Sequence, residues 1–291
     1  MLPADREAVY APFLDQYEIV RRHENWGRDD SGYYRALPVV SRDDPNGSIW
    51  QVRLRTFQTL LRRVLVPLET RSRAPLHAIE LGSGNGWLAH RLTRRGHLVT
   101  AVDLRTGERD GLGAHVHYEA RFTSVQADYV RLPLAGAQFD LAIFNASLHY
   151  AEDCEVAIRE AVRVLRPAGR LVILDSPVYK NDEDGRRMVR ERELAFLSRY
   201  GFAANTFTSE HFLTTQRLTD MAAAIGLSWR MLRPRPGFKT TLRAAVAVLP
   251  GRRRPARFPV ITMERAPDAA GGRTLSRSPD GSATILSEDV A

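Results

Sequence analysis

Three glycines, Gly82, Gly84 and Gly86, alternate directly after a short apolar run that contains one acid, Glu80. Glycine adopts the backbone conformations of a tight turn and leaves no side chain between the backbone and a bound molecule. Between a strand and a helix, such a turn lets a nucleotide-like ligand contact main-chain groups. NAD, nucleotide phosphates and S-adenosylmethionine (SAM) are all bound in this way. The turn therefore predicts a ligand site and leaves three chemistries open.

Polar side chains also follow the next predicted strands. Asp103 ends the second strand, where a carboxylate can accept hydrogen bonds from both hydroxyls of a ribose. The same charge would repel a 2′-phosphate. Asp128 comes just after the third strand, and Asn145 comes after the fourth. These residues supply further hydrogen-bonding groups for the ligand of the glycine turn.

The choice between NAD and SAM depends on residues around the turn. The segment Gly84–Ala89 matches G-x-G-x-x-A, which fits a dinucleotide fold but is weak by itself. The negative charge of Glu80 would repel a pyrophosphate, whereas it would attract an ammonium or a sulfonium group. Lysine occurs only at Lys180 and Lys239, so the Tyr-x-x-x-Lys pair of many nicotinamide enzymes is missing. These observations favour SAM.

Short apolar runs alternate with helical patterns from residue 76 onward. Continuous apolar strands separated by helices indicate an α/β fold whose parallel sheet is covered on both faces. The predicted strands are His77–Leu81, Leu98–Val102, Thr123–Gln126, Phe139–Phe144 and Arg170–Asp175, with two more in "LSWRMLR" and "FPVITMER". The predicted helices are Trp87–Arg95, Glu152–Leu165, 182–200 and Gln216–Ile225, preceded by an amphipathic helix from about residue 48 that Ser48 or Asn46 caps.

Five segments resemble the class I SAM-dependent methyltransferases: "IELGSGNG", Asp103, "QADYVRLPL", "FDLAIFNASLHY" and "EAVRVLRPAGRLVILD". They are most similar to the subgroup that includes the ubiquinone and menaquinone C-methyltransferases and many small-molecule methyltransferases. The resemblance covers about residues 76–176. It implies a Rossmann-like, seven-stranded, mostly parallel sheet with an antiparallel last strand and helices on both faces.

The resemblance also implies roles for individual residues. Glu80 and the glycine turn would hold the methionine part of SAM, and Asp103 the ribose. Asp128 would accept a hydrogen bond from the adenine amino group, with Tyr129 beside the ring, and Asn145 would face the methionine end. The cofactor-binding residues implied are Glu80, Gly82, Ser83, Gly84, Gly86, Asp103, Leu104, Asp128, Tyr129 and Asn145.

The acceptor side of the reaction is less defined by sequence. His149 follows the fourth strand, at the sheet edge where substrates bind, and its imidazole is the candidate base. Packing against Tyr150 is the alternative for this ring. Tyr33 and Tyr34 are the candidate substrate contacts among the early aromatic residues, for which packing is again the alternative.

The resemblance and the composition together divide the chain into regions. Residues 1–75 are predicted to form an N-terminal helical and aromatic cap, and residues 76–265 the SAM-binding domain with a cap insertion at 179–215. Residues 266–291 contain no aromatic side chain and are rich in small and polar residues, which predicts a disordered tail.

Charge and composition bear on the partners. The formal net charge is +8, but arginine replaces lysine almost throughout, which looks like a coding bias and disfavours nucleic acid as a partner. The densest basic cluster comprises Arg252, Arg253, Arg254 and Arg257. The single cysteine, Cys154, excludes an internal disulfide and a multi-cysteine metal site, and no metal is expected.

No segment is apolar enough to cross a membrane and the N-terminus lacks a secretory signal, so we expect a cytoplasmic protein. The sequence thus predicts a SAM-dependent methyltransferase with a small-molecule acceptor at an O, N or C atom, and a homodimer as one possible assembly. Three alternatives stay open: an RNA methyltransferase, a non-catalytic SAM-binding protein, and an NAD oxidoreductase, which Glu80 and the missing Tyr-x-x-x-Lys pair disfavour. Residues 145–148 read Asn-Ala-Ser-Leu instead of the Asn/Asp-Pro-Pro-aromatic motif of amino-methylating nucleic-acid enzymes, which disfavours the first.

Overall fold

A computed structural model describes residues 4–201, 208–235 and 253–266. The predicted tail therefore lies outside the described residues except at its first position, as does Arg252 of the basic cluster. Strands β1 to β9 span His77–Leu81, Leu98–Asp103, Thr123–Gln126, Phe139–Asn145, Leu165–Leu174, Val178–Tyr179, Leu213–Thr214, Leu227–Leu232 and Val260–Arg265. Helices α1 to α8 span Ala4–His23, Ser31–Ala36, Gly47–Leu60, Val66–Ser72, Trp87–Thr93, Cys154–Val164, Asp182–Tyr200 and Thr215–Ile225.

Seven of the strands form one sheet in the order β3-β2-β1-β4-β5-β9-β8. Strands β1 to β5 pair in parallel, and β9 runs antiparallel between β5 and β8. The predicted mostly parallel sheet with an antiparallel last strand is confirmed. The strand order reverses between β1 and β4, and ligands bind at such a switch point outside the carboxyl ends of the strands.

Two apolar layers cover the sheet. One face packs against α6 and α8, and the other packs against α3 and α5. Because successive side chains of a strand point to opposite faces, Glu80 shares the α3 and α5 face with Ala78, between Ile79 and Leu81 of the other layer. This alternation buries a carboxylate beneath the helix that follows the glycine turn.

Several predicted boundaries shift for local reasons. Strand β5 begins at Leu165 instead of Arg170, because Leu165 pairs with Phe139 before a register irregularity. Helix α6 begins at Cys154 because the carboxylate of Asp153 accepts hydrogen bonds from the first backbone N–H groups. Asn46 precedes α3, but its side chain forms no capping hydrogen bond, so the predicted side-chain cap is wrong for this residue.

The spacing of apolar residues in the sequence does not predict helix α1. It spans Ala4–His23, yet its apolar residues form no continuous stripe. The helix lies over the sheet edge, where its aromatic and charged side chains contact polar groups. A helix that packs on a polar surface lacks the period that an apolar core imposes.

Helix α3 fastens the N-terminal region to the sheet. It continues through a π-helical stretch, Leu61–Leu65, into α4. Trp50 and Phe57 pack edge-on against Trp87 of α5. The hydroxyl of Thr56 donates a buried hydrogen bond of 2.8 Å to Oδ1 of Asp175, the residue after β5. Helix α3 therefore covers the carboxyl end of β5.

The Thr56–Asp175 bond gives a stability prediction. Thr56→Val should destabilise the fold by about 1–3 kcal/mol, because Oδ2 of Asp175 already lacks a partner among the described residues and Oδ1 would lose its own. The matched control is Thr59→Val, one turn further along α3, whose hydroxyl bonds only to the Arg55 carbonyl of its own helix. Urea unfolding measures both variants, and equal losses would contradict the assignment.

Candidate functional site

A cavity of about 370 Å³ opens at the carboxyl ends of β1, β2 and β4. The sheet side supplies the glycine turn and the residues that follow β2, β3 and β4. Helices α1 and α3 supply the opposite wall, which we call the roof. The sheet-side lining includes Gly82, Ser83, Gly84, Asp103, Leu104, Asp128, Tyr129 and Asn145, and the roof comprises Tyr10, Phe13, Leu14, Tyr17, Arg21 and Arg53.

The glycine turn is held by β2. The N–H groups of Gly82 and Ser83 donate to the Val102 carbonyl at 2.8 and 2.9 Å. Gly82 and Gly84 have φ values of 72° and 54°, in the left-handed region that favours glycine. A Cβ on Gly82 would lie 2.4 Å from Cβ of Ser147, whereas one on Gly84 would meet nothing within 4 Å. Gly82 thus serves packing, and Gly84 keeps space open beside the cavity.

Asp103 is fixed by two backbone donors. Its Oδ2 accepts from the N–H of Gly84 at 2.7 Å, and its Oδ1 accepts from the N–H of Arg105 at 2.8 Å. Burial raises the pKa of this carboxyl above its ordinary value. Each oxygen retains acceptor capacity, so the oriented group can accept two further hydroxyls.

Glu80 lies behind the turn and not in the wall of the cavity. It is fully buried, its Oε2 accepts from the N–H of Ala89 at 2.8 Å, and its Oε1 accepts from the side-chain amide of Asn145 at 3.0 Å. Burial raises the pKa of Glu80 to about 8. In the described structure this carboxyl positions α5 and Asn145, and its direct contact with a ligand stays a prediction.

Two buried polar atoms beside the turn have no hydrogen-bond partner within the described ranges. They are Oγ of Ser83 and Oδ1 of Asn145, and both residues line the cavity. Buried polar atoms are rarely left unpaired, because each one then costs its full desolvation. The pair marks the place where a polar ligand group would bind.

Asp128 and Tyr129 form the other end of the sheet side. Oδ1 of Asp128 accepts from the N–H of Val130 at 3.0 Å, and Oδ2 accepts from the hydroxyl of Tyr10 on α1. The hydroxyl of Tyr129 donates to the Ser147 carbonyl at 3.3 Å. The roof therefore contacts a predicted ligand-binding carboxylate directly.

Sequence reasoning missed Arg21 of the roof and Arg105 of the sheet side. Arg21 of α1 and Arg105 after β2 share the carboxylate of Asp110, with Nη1 of Arg105 at 3.0 Å. The guanidinium of Arg105 also lies over the Tyr17 ring, 4.8 Å from its centroid. Arg105 follows Asp103 by two positions, which was the one available signal. Nothing in the sequence places α1 near Asp110.

His149, the predicted base, does not line the cavity in the described structure. Its ring packs on Tyr150, with centroids 4.3 Å apart, and its Nδ1 lies 3.2 Å from Oγ of Ser176. Burial lowers the pKa of His149 to about 3. The geometry corresponds to the packing alternative, and Tyr150 lines the cavity in its place.

The predicted acceptor contacts also lie elsewhere. Tyr34 is fully buried and stacks on His117 with centroids 4.2 Å apart, and Tyr33 packs edge-on against Tyr34. Both contribute to the packing of the N-terminal region. The aromatic side chains that reach the cavity come from α1, at Tyr10, Phe13 and Tyr17.

Two described arginines of the basic cluster contact α7, which lies in the predicted cap insertion. Nε of Arg253 contacts Oε2 of Glu191 on α7 at 2.5 Å, and the N–H of Arg254 donates to Asp184 at 2.9 Å. Among the described residues, no group of three His, Cys, Asp or Glu side chains could hold a metal ion. No described helix is long and apolar enough to cross a membrane.

A methyltransferase domain family matches residues 79–173, which carry the glycine turn, Asp103, Asp128 and Asn145. The demethylmenaquinone methyltransferase of Thermus thermophilus is 31% identical over 179 residues, which cover 54% of this chain and 77% of that protein. The chain belongs to the SAM-dependent methyltransferase family. The resemblance seen in the sequence is confirmed.

The family relationship is limited in extent. The malonyl-[acyl-carrier protein] O-methyltransferase of Hahella chejuensis is 37% identical over 105 residues, so the match covers 35% of this chain and only 37% of that relative's length. The crystal structure of the 1,6-didemethyltoxoflavin-N1-methyltransferase of Burkholderia thailandensis superimposes with a TM-score of 0.53 and 18% identity, covering 92% of each chain. That structural likeness establishes the shared methyltransferase fold.

The two glycines give a matched pair of variants. Gly82→Ala should destabilise the fold by about 1–3 kcal/mol more than Gly84→Ala, because only the first adds overpacking, against Ser147, to the left-handed strain. Ser147 cannot move away easily, since its hydroxyl bonds to the Leu81 carbonyl. Thermal and urea unfolding of both variants measure the difference. Equal stabilities would contradict this role for Gly82.

The raised pKa of Glu80 predicts a pH dependence of stability. Between about pH 4.5 and pH 8 the folded chain keeps a proton that the unfolded chain releases, so the unfolding free energy falls as pH rises through this window. Glu80→Gln removes that titration. Urea unfolding across the window should show the stability of the wild type falling relative to the variant, by a few kcal/mol in total. A constant difference would contradict the shift.

Proposed function

We propose that this protein transfers a methyl group from SAM to a small-molecule acceptor held between the sheet edge and the roof. The observation that carries the proposal is one continuous cavity. It joins the glycine turn, Asp103 and two unpaired polar atoms on one side to an aromatic and arginine-rich wall on the other. Family membership supports the chemistry, and the roof supports an acceptor of small size.

The residues fit SAM on three grounds. Open space at Gly84 would be filled by a side chain at any other residue type. Oδ1 of Asn145 and Oγ of Ser83 provide partners for the amino-acid end of the cofactor. Asp103 is oriented to take the ribose hydroxyls, and Asp128 the adenine amino group.

Bound SAM supplies an electrophilic methyl group on a sulfonium, so the chain has to bind, orient and exclude water. Glu80 fixes the side-chain amide of Asn145, a residue of the cavity lining, by accepting a hydrogen bond from its Nδ2. Tyr10, Phe13 and Tyr17 cover the acceptor side. Holding two reactants in a productive geometry can contribute up to about 7–11 kcal/mol.

The described lining contains no histidine, and burial raises the pKa of Tyr150 to about 12, which keeps that phenol neutral. The candidate proton acceptors of the lining are therefore its carboxylates. A cytoplasmic location and a homodimer, both expected from the sequence, stay predictions.

Calorimetric titration with SAM, S-adenosylhomocysteine and NAD tests the proposal. We expect the wild type to saturate with the first two, and Asp103→Asn to weaken SAM binding about tenfold or more, because a charge-assisted bond to a hydroxyl becomes a neutral one. Asp220→Asn, on the outside of α8, is the matched control and should bind as the wild type does. Saturation with NAD alone would overturn the proposal, and binding without transfer to any acceptor in a broad panel would favour a non-catalytic role.

A further inference from the structure

Arg53 is a cation of the cavity wall that has no anionic partner. It projects from α3 into the lining, and its side chain forms no ion pair or hydrogen bond anywhere in the described ranges. The other two arginines of the lining, Arg21 and Arg105, are both paired with Asp110. The Arg53 side chain is half-buried, and a partly buried charge without an ion-pair partner is costly unless a ligand compensates it.

Two tryptophans hold the Arg53 guanidinium in place. It lies 4.8 Å from the ring centroid of Trp50 and 5.4 Å from that of Trp26. Trp50 is fully buried and packs edge-on against Trp26 and against Trp87 of α5. The aromatic faces attract the cation and restrict its side chain, so the side chain loses little conformational entropy when an anion binds.

Two buried acids lie near Arg53 without forming an ion pair with it in the described ranges. Both oxygens of Glu80 are hydrogen-bonded, and its raised pKa keeps it largely protonated at neutral pH. Asp175 does not line the cavity; its Oδ1 takes the Thr56 hydroxyl, and its Oδ2 has no hydrogen-bond partner among the described residues. Burial lowers the pKa of Arg53, and the charge of Asp175 offsets this only in part.

The remaining acids of the lining have other contacts or lie in solvent. Asp110 forms ion pairs with two arginines. Asp153 caps α6 and contacts Arg217 at 3.3 Å. Glu152 is exposed. Asp103 and Asp128 lie at the opposite end of the sheet side, after β2 and β3.

We propose that Arg53 binds a carboxylate of a bound reactant. The inference rests on the proposed function, since it assigns a partner within the same cavity. A planar guanidinium donates two parallel hydrogen bonds to a carboxylate, which gives both affinity and orientation. Two reactants can carry the group: the methionine part of SAM, or an aromatic acid as the acceptor.

The first arm of the test compares SAM with decarboxylated SAM, which lacks only the carboxylate. Arg53→Met keeps an apolar stem between the two tryptophans and removes the charge. If the carboxylate that Arg53 binds belongs to the cofactor, Arg53→Met should weaken SAM binding about tenfold or more. Its affinity for decarboxylated SAM should equal that of the wild type. Arg62→Met, an exposed arginine further along the same helix, is the matched control.

The second arm tests the acceptor. Protein saturated with S-adenosylhomocysteine is titrated with 4-hydroxybenzoate and with 4-hydroxybenzamide, an aromatic pair that differs in charge. If the carboxylate belongs to the acceptor, the wild type should prefer the acid, and Arg53→Met should abolish that preference while SAM affinity stays unchanged. Arg53→Lys should retain part of the preference, which a loss of folding would not.

The outcomes separate the two proposals. The role of Arg53 would be overturned, and the proposed function left intact, if the wild type binds SAM and Arg53→Met changes neither ligand preference. The two preferences are SAM over decarboxylated SAM and the aromatic acid over its amide. Failure of the wild type to bind SAM would overturn both. Thermal unfolding of each variant establishes that the comparison is made between folded proteins.

Discussion

The buried carboxyl of Glu80 connects three elements that meet at the site. It extends from β1, accepts a hydrogen bond from α5 at Ala89, and orients the amide of Asn145 after β4. Placing such a group in the interior is costly, and its raised pKa expresses that cost. Because the same residue sets the start of α5 and one polar atom of the cavity, the glycine turn and the fourth strand are positioned relative to each other.

The other half of the site depends on packing that the sheet does not determine. Helix α3 lies over β5 through Thr56 and Asp175, and its tryptophan contacts bring Arg53 to the cavity. Helix α1 is held by polar contacts to residues after β2 and β3. Under the proposed function, the family domain would supply the cofactor surface, and the N-terminal helices would shape the space for the acceptor.

The two halves also differ in how far sequence predicts them. The sheet follows from continuous apolar strands, and its polar residues follow from their position at strand ends, so Asp103, Asp128 and Asn145 were found together. Tyr33 and Tyr34 are predicted from residue type, and His149 from its type and its position after β4. Neither criterion distinguishes a ring that packs from one that faces a cavity. Arg21 and Arg53 were missed because their placement depends on tertiary contacts of helices whose polar faces carry no periodic signal.

Helix α1 touches the sheet side at two charged positions, through Tyr10 to Asp128 and Arg21 to Asp110. The carboxylate of Asp128 is the group proposed to accept a hydrogen bond from the adenine amino group, so Tyr10 and the cofactor would share it. Exchange of spent cofactor for fresh would then require α1 to shift or lift at that end. The residence time of the bound cofactor would then depend on the N-terminal helix, and turnover would be limited by product departure instead of by chemistry.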